Sequence, residues 1–283
     1  MNRRTFLKQG VGGLLAVLGL SGGGYYYAKD IEPSMLHTQQ EVITSKKIPS
    51  TFNNFKIVQF SDTHIGFHYS LEQLHQLINK INALNPDLIV FTGDLIDKPN
   101  QYNNLSKVQN KLSLLNAPYG KYWIYGNHDH GGYGTDIIRN TMEKAGFVLL
   151  QNNHSIIEKE SGRFILAGID DVMLGKPNLQ KTLHQANKEL FTILLAHEPD
   201  FADETVNSTV DVQLSGHSHG GQVRLPLIGH LYTPSYAEKY VQGKYQLRNE
   251  TFTLYVNRGI GTTRLPYRFL CTPEIHEYIL QST

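Results

Sequence analysis

From residue 55 onward the chain repeats one local pattern, a short apolar run that ends abruptly in a polar corner. The runs are KIVQF (Lys56 to Phe60), LIVF (Leu88 to Phe91), YWIY (Tyr122 to Tyr125), FILAGI (Phe164 to Ile169), TILLA (Thr192 to Ala196), VDVQL (Val210 to Leu214) and TFTLYV (Thr251 to Val256). Each is too short for a buried helix and rich in β-branched and aromatic residues, so each reads as a strand. Helical patterns lie between several of them. Leu71, Leu74, Leu77, Ile78 and Ile81 share one helix face, with Ser70 as N-cap and Asn85-Pro86 as the stop. Residues 105–115 and 135–145 repeat the pattern, the latter with Gly146 as its C-cap. Strands alternating with helices predict an α/β fold whose central strands are buried on both faces.

The corners after the strands carry the chemistry. KIVQF runs into SDTHIG, LIVF into TGDLID, YWIY into GNHDHGG, TILLA into HEPD, and VDVQL into SGHSHGG. In open α/β sheets, ligands bind beyond the carboxyl ends of strands. Asp62, His64, Asp94, Asn127, His197, His217 and His219 therefore predict one shared site of oxygen and imidazole donors without a thiolate, a set suited to Mn²⁺, Fe or Zn²⁺. Residues i and i+2 of an extended segment point the same way, so His217 and His219 can serve two ions roughly 3.5–4 Å apart. Gly216, Gly220 and Gly221 let that backbone turn tightly. Asp94 is the natural bridge between the two cations.

Composition sets the remaining limits. The 283 residues carry a net charge of +1, which gives no global reason to expect nucleic acid. An intramolecular disulfide is excluded, because Cys271 is the single cysteine and has no partner thiol. The chain begins MNRRTFLKQ and continues GVGGLLAVLGLSGGG, a twin arginine followed by an uncharged apolar run. That is the layout of an export leader. Three divisions follow: a leader over 1–28, a connector with a first strand over 29–54, and one domain over 55–283. The leader is only just long enough to span a bilayer if it is kept, which needs about 20 apolar residues. In that case Tyr25 to Tyr27 would form an interfacial belt.

These residues carry two resemblances. Arg3-Arg4-Thr5-Phe6-Leu7-Lys8 resembles the bacterial twin-arginine (Tat) signal. Asp62-Thr63-His64, Gly93-Asp94-Leu95-Ile96-Asp97, Gly126-Asn127-His128-Asp129, His197 and Gly216-His217-Ser218-His219, in that order, resemble the motifs of the calcineurin-like metallophosphoesterases. LAHEPDF, GHSHGGQ and RLPYRFLCTPEI resemble the secreted bacterial phosphodiesterase-like branch more narrowly. The resemblance implies a four-layer αββα sandwich, two mixed sheets flanked by helices, with a dinuclear site at the strand ends. It implies one ion on Asp62, His64, His219 and Asp94, and a second on Asp94, Asn127, His197 and His217. His128 would face the substrate as the leaving-group acid, and Asp97 would orient it. The reaction implied is phosphoester hydrolysis by a hydroxide bridging the ions, with activity falling in acid as protons compete for the imidazoles.

Three functions fit this reading. The first is an exported phosphodiesterase or phosphomonoesterase, reaching the outer face of the cytoplasmic membrane or the cell wall through the twin-arginine machinery. The second is a membrane-associated pyrophosphate hydrolase acting on a lipid-linked nucleotide or sugar, because a relative of the branch cleaves a diacylated UDP-glucosamine. The third is a wall-binding protein with a vestigial metal site. Arg258, Arg264 and Arg268, in the segment NRGIGTTRLPYR, are candidate contacts to a second anionic group of the substrate.

Overall fold

The structure is a computed structural model that describes residues 22–130, 134–248 and 251–283. The twin-arginine motif and most of the apolar leader lie outside the described residues. In chain order the strands are β1 (His37–Ser45), β2 (Phe55–Phe60), β3 (Leu88–Phe91), β4 (Lys121–Trp123), β5 (Phe147–Leu149), β6 (Asn153–Lys159) and β7 (Gly162–Gly168). They continue as β8 (Thr192–Leu195), β9 (Val212–Ser215), β10 (Arg224–Leu225), β11 (Gly229–His230), β12 (Gly243–Leu247), β13 (Phe252–Val256) and β14 (Glu274–Ser282). Among the described residues three helices matter for the layering: α1 (Leu71–Ala83), α2 (Leu105–Leu112) and α3 (Thr135–Lys144).

Two six-stranded sheets result. The first runs β1-β14-β2-β3-β4-β5 and the second β12-β13-β9-β8-β7-β6. Each is parallel through its centre, with antiparallel pairs at β14–β2, β12–β13 and β6–β7. Alternation along the central strands explains the layering, since successive side chains leave opposite faces. Phe55, Ile57, Leu88 and Val90 of the first sheet pack against Ile193, Leu195, Val212 and Leu214 of the second. Their neighbours Val58, Phe60, Ile89 and Phe91 turn outward, under Leu74, Leu77 and Ile81 of α1, Val108 of α2 and Met142 of α3. The outer face of the second sheet buries Ile165, Leu194 and Leu254 beneath Phe201 and Ala202. The four-layer arrangement expected from the resemblance is thus present.

Local signals place the elements as their chemistry requires. Ser70 Oγ accepts from the Gln73 N–H (3.2 Å) while Gln73 Oε1 accepts from the Ser70 N–H (2.8 Å), so α1 starts on a reciprocal capping box. Gly146 follows α3 at φ 84°. Residues 22–26 are helical, and their continuation docks on the body. Tyr25 and Tyr267 lie 5.5 Å apart edge to face, Tyr27 packs on Phe269, and the Arg268 N–H donates to the Ala28 carbonyl. Buried Glu32 accepts from the N–H groups of Leu270 and Cys271. The last part of the expected leader therefore meets the loop that follows β13. Among the described residues no helix is long and apolar enough to cross a membrane.

Candidate metal centre and active site

The polar corners predicted from sequence converge at one end of the two facing sheets. Asp62 and His64 follow β2, Asp94 follows β3, His197 follows β8, and His217 and His219 follow β9. Five of these six residues hold left-handed backbone: Asp62 (φ 54°), His64 (42°), Asp94 (63°), His217 (65°) and His219 (49°). That conformation is unfavourable for side chains larger than glycine, and it recurs where surrounding structure over-determines a functional geometry. Here it turns the chain sharply at the strand end and aims each donor inward.

Donor atoms of Asp62, His64 and His219 lie within 4.8 Å of one another, and so do those of Asp94, His197 and His217. Asp94 sits between the two groups. Its Oδ2 is 3.5 Å from His64 Nε2 and 3.4 Å from His197 Nε2. All six side chains are buried. Asn127 occupies the corner after β4, and its buried Oδ1 has no hydrogen-bond partner.

The ring nitrogens test whether cations fit. His197 Nδ1 faces the Thr92 carbonyl at 2.6 Å, so Nδ1 carries the proton and Nε2 a lone pair. His217 Nε2 faces the Ser235 carbonyl at 2.9 Å, so its lone pair is on Nδ1. Those two lone pairs point at each other across 3.1 Å. The Nε2 atoms of His64 and His219 face each other at the same separation, and both of their buried Nδ1 atoms lack a hydrogen-bond partner. Opposed lone pairs repel unless a cation or a proton stands between them. Outer carbonyls that fix the tautomer of a metal-binding imidazole are the usual support of such a site, and the donor set fits two divalent ions.

Protonation follows the same logic. Burial, then His197, push His217 down to about 3. Burial and the neighbouring His64 hold His219 well below the ordinary histidine range, so both are neutral donors. Burial works against the Asp94 charge, but His197, His128 and His64 outweigh it and hold its carboxyl well below the usual range. Burial disfavours a charged His197 too, yet Asp94 and Asp62 raise it well above the histidine norm. Without an ion a second proton therefore sits on Nε2, beside Asp94, and metal binding there would release it and leave the lone pair described above.

Around the donors stand residues that shape them. His128 is 29% exposed at its side chain, unlike the six buried donors. Its Nδ1 is 2.9 Å from the Asp97 carbonyl and 3.6 Å from Asp97 Oδ1. That fixes the ring with Nε2 free. Burial lowers its pKa, but Asp94 and the Asp97 carbonyl outweigh burial and raise it. Asp129, to which the sequence alone assigned no role, is a clamp. Its carboxylate accepts from the N–H groups of Asp94 (2.7 Å), Leu95 (3.0 Å) and Gly126 (3.0 Å), tying two corners together. Burial and Asp94 raise it to about 7. Its signal is its place at the end of G-N-H-D, but nothing in the sequence shows that it faces backbone rather than metal.

The three candidate arginines separate. Arg268 is 0% exposed and directs its guanidinium to the carbonyls of Gly261, Cys271, Arg258 and Gly259, so it builds the loop and does not face substrate. Arg258 is held by Glu274, its Nε 2.6 Å from Oε2. A loop crowded with inward carbonyls needed donors, and Arg268 supplies them. Arg264 alone is exposed, with its guanidinium over the Tyr232 ring at 4.9 Å. It lines a groove of about 330 Å³ that reaches His219 and is otherwise bounded mainly by Val223, Leu231, Tyr232, Pro234 and Leu265.

Comparison with known proteins agrees with this construction. Residues 55–221 match the sequence profile described as calcineurin-like phosphoesterase. The chain is 48% identical over 284 residues to the uncharacterized metallophosphoesterase YkuE of Bacillus subtilis, covering 100% of this chain and 99% of that one. It is 30% identical to the phosphodiesterase YaeI of Escherichia coli, over 78% of this chain and 80% of that protein. A Danio rerio transmembrane protein with a metallophosphoesterase domain is 29% identical over 99% of this chain, which spans 63% of that protein's length. With the profile spanning the strands that carry every donor, and those donors gathered as a two-ion centre requires, the chain belongs to the calcineurin-like phosphoesterase family and is a metal-dependent phosphoester hydrolase.

Proposed function

We propose that this hydrolase is a phosphodiesterase acting outside the cytoplasm, with the ion sets given above for Asp62, His64, Asp94, Asn127, His197, His217 and His219. The observation that carries the reading is the position of Asp94 between two buried donor groups, with His128 held at their open side. Two divalent ions there supply Lewis acidity and an activated water.

The chain's own residues do the rest. Asp94 and the imidazoles fix the ion spacing. His128, held at Nδ1 by Asp97, turns Nε2 toward the mouth, where its raised pKa suits donation of a proton to a departing oxygen. The diester preference rests on charge. A monoester brings a second negative charge that arginines would match, yet Arg258 and Arg268 are engaged within the protein and Arg264 is left. The name of the E. coli relative supports the same choice. An ordered His128–Asp97 pair argues against a purely wall-binding role, which needs no proton donor. The twin-arginine motif supports export; replacing Arg3 and Arg4 with lysine should leave the protein in the cytoplasmic fraction.

The test is hydrolysis of bis-p-nitrophenyl phosphate beside p-nitrophenyl phosphate by metal-stripped protein resupplied with Mn²⁺ or Zn²⁺. Metal-restored turnover with the higher kcat/KM on the diester is expected. Equal or better turnover of the monoester would overturn the diester assignment. A second reading, a pyrophosphate hydrolase on a lipid-linked nucleotide or sugar, is favoured by the apolar groove that opens beside His219.

A further inference from the structure

The hairpin β10–β11 stands next to the mouth of the site, and its tip breaks two ordinary rules. Leu227 is fully exposed (108%) and Ile228 nearly so (70%), where folding gains nothing from apolar side chains. Leu227 also holds φ 67°, a conformation that turns normally give to Gly or Asn. Turn chemistry does not explain that leucine.

The tip is not isolated. Leu231, Tyr232 and Leu265 are more than half exposed on the adjoining groove. The hairpin is joined to the loop after β13 by the Val223–Phe269 bridge and by the Arg224 N–H donating to the Phe269 carbonyl. Phe269 packs on Tyr27, and Tyr267 on exposed Tyr25, so the segment that follows the apolar leader meets the same surface. Within the hairpin and the loop after β13, charge is one-sided. Neither residues 212–237 nor residues 251–273 contain an aspartate or glutamate, while Arg264 and His230 are exposed within them. Apolar surface beside tyrosines, with no carboxylate in the hairpin or the loop after β13 and Asp30 the exposed acid of the docked segment 22–34, matches the interface of an anionic bilayer.

We infer that the β10–β11 tip inserts into an anionic lipid bilayer, with the groove beside His219 opening onto it, so that the substrate is a phosphate ester bearing an apolar chain drawn from that bilayer. The substrate half of this inference rests on the phosphoesterase reading above; the docking half does not.

The test uses the full chain with Leu227→Trp, since the one native tryptophan, Trp123, is buried in the core and supplies a constant background. Vesicles of equal parts phosphatidylcholine and phosphatidylglycerol should shift the added emission to the blue, brominated acyl chains should quench it, and both effects should weaken with pure phosphatidylcholine. Full-length protein that sediments with the vesicles while this emission stays unchanged would overturn docking, because the leader alone would account for binding. Emission already blue-shifted without vesicles, and rising with protein concentration, would overturn it in favour of a second copy of the chain. Ile228→Trp gives an independent reading should the first variant fold poorly.

The substrate half is read as a ratio, turnover of a vesicle-borne long-chain p-nitrophenyl phosphodiester over that of bis-p-nitrophenyl phosphate. Leu227→Asp should lower this ratio by on the order of tenfold or more, the loss expected when a leucine no longer leaves water. An unchanged ratio would overturn the lipid substrate. No turnover of either ester with any metal, while the tryptophan still shifts, would count against the phosphoesterase reading and leave docking standing.

Discussion

A methyl group placed at Gly126 tests how tightly the centre is built. A Cβ there would lie 2.3 Å from Asp94 Oδ1, 2.7 Å from His197 Cε1 and 2.8 Å from the Asp94 backbone nitrogen. Escape on the far side is closed, since Gly126 backs directly onto Gly93, whose own added Cβ would meet the Gly126 nitrogen at 2.6 Å. Ordinary contact begins near 3.4 Å, so Asp94 Oδ1 has to retreat by about 1 Å. That oxygen accepts from the His128 N–H at 2.8 Å, so His128 is disturbed too. Misplacement of reacting groups by about 1 Å costs on the order of 10²-fold in rate, and overpacking costs about 1–3 kcal/mol in stability. Gly126→Ala should therefore retain its fold in urea titration, bind fewer than two ions per chain by elemental analysis, and lose about 10²-fold in kcat. Gly243→Ala is the control, because its Cβ meets nothing within 4 Å and only its positive φ is unfavourable. If Gly126→Ala keeps full metal content and activity within a factor of two, the bridge assigned to Asp94 is wrong.

Three further outcomes follow from particular contacts. His128→Ala should bind two ions normally yet lose about 10²–10⁴-fold in kcat, the usual worth of a proton donor; loss of metal instead would make His128 a ligand. Burial raises the Glu274 carboxyl, but His276 and Arg258 outweigh it and hold it down to about 2, so Glu274 stabilises the fold above its ordinary value of 4.5 and loses that contribution as pH falls toward 2. The difference in unfolding free energy between wild type and Glu274→Gln, with chelator present throughout, should be about 3 kcal/mol at pH 7 and roughly half that at pH 3; a difference independent of pH would refute the pairing. Cys271 is buried, donates to the His219 carbonyl, and has its thiol pKa raised chiefly by burial. It should resist iodoacetamide in native protein and react once urea unfolds the chain.

Most of the centre could be read before the fold because each donor follows an apolar run, and a strand end fixes both place and direction. Asp62, His64, Asp94, His197, His217 and His219 needed no knowledge of the sheets to be grouped. What sequence hid was whatever depends on partners far along the chain. β14 comes from the far end yet pairs between β1 and β2, and its buried Glu274, His276 and Glu277 interrupt the apolar pattern that would mark a central strand. β1 is an edge strand whose mostly polar sequence, HTQQEVITS, looks like connector. VDVQL starts two residues before β9 because Asp211 turns its carboxylate to the Thr192 N–H and Lys47 instead of extending the strand. Arg258 and Arg268 turned inward for a related reason: a sequence shows that a guanidinium exists, not whether carbonyls or carboxylates inside the protein claim it first.

The distribution of donors between the sheets has a further meaning. Asp62, His64 and Asp94 come from the first sheet, and His197, His217 and His219 from the second. Each of the two donor groups assigned to the ions mixes them; the first sheet alone gathers only His64, Asp94 and His128, so the two-ion arrangement needs both sheets. An ion placed there acts as a rivet through two plates, and catalytic competence becomes a report on whether the plates are closed. With only one sheet formed, each of the two assigned donor groups lacks a member.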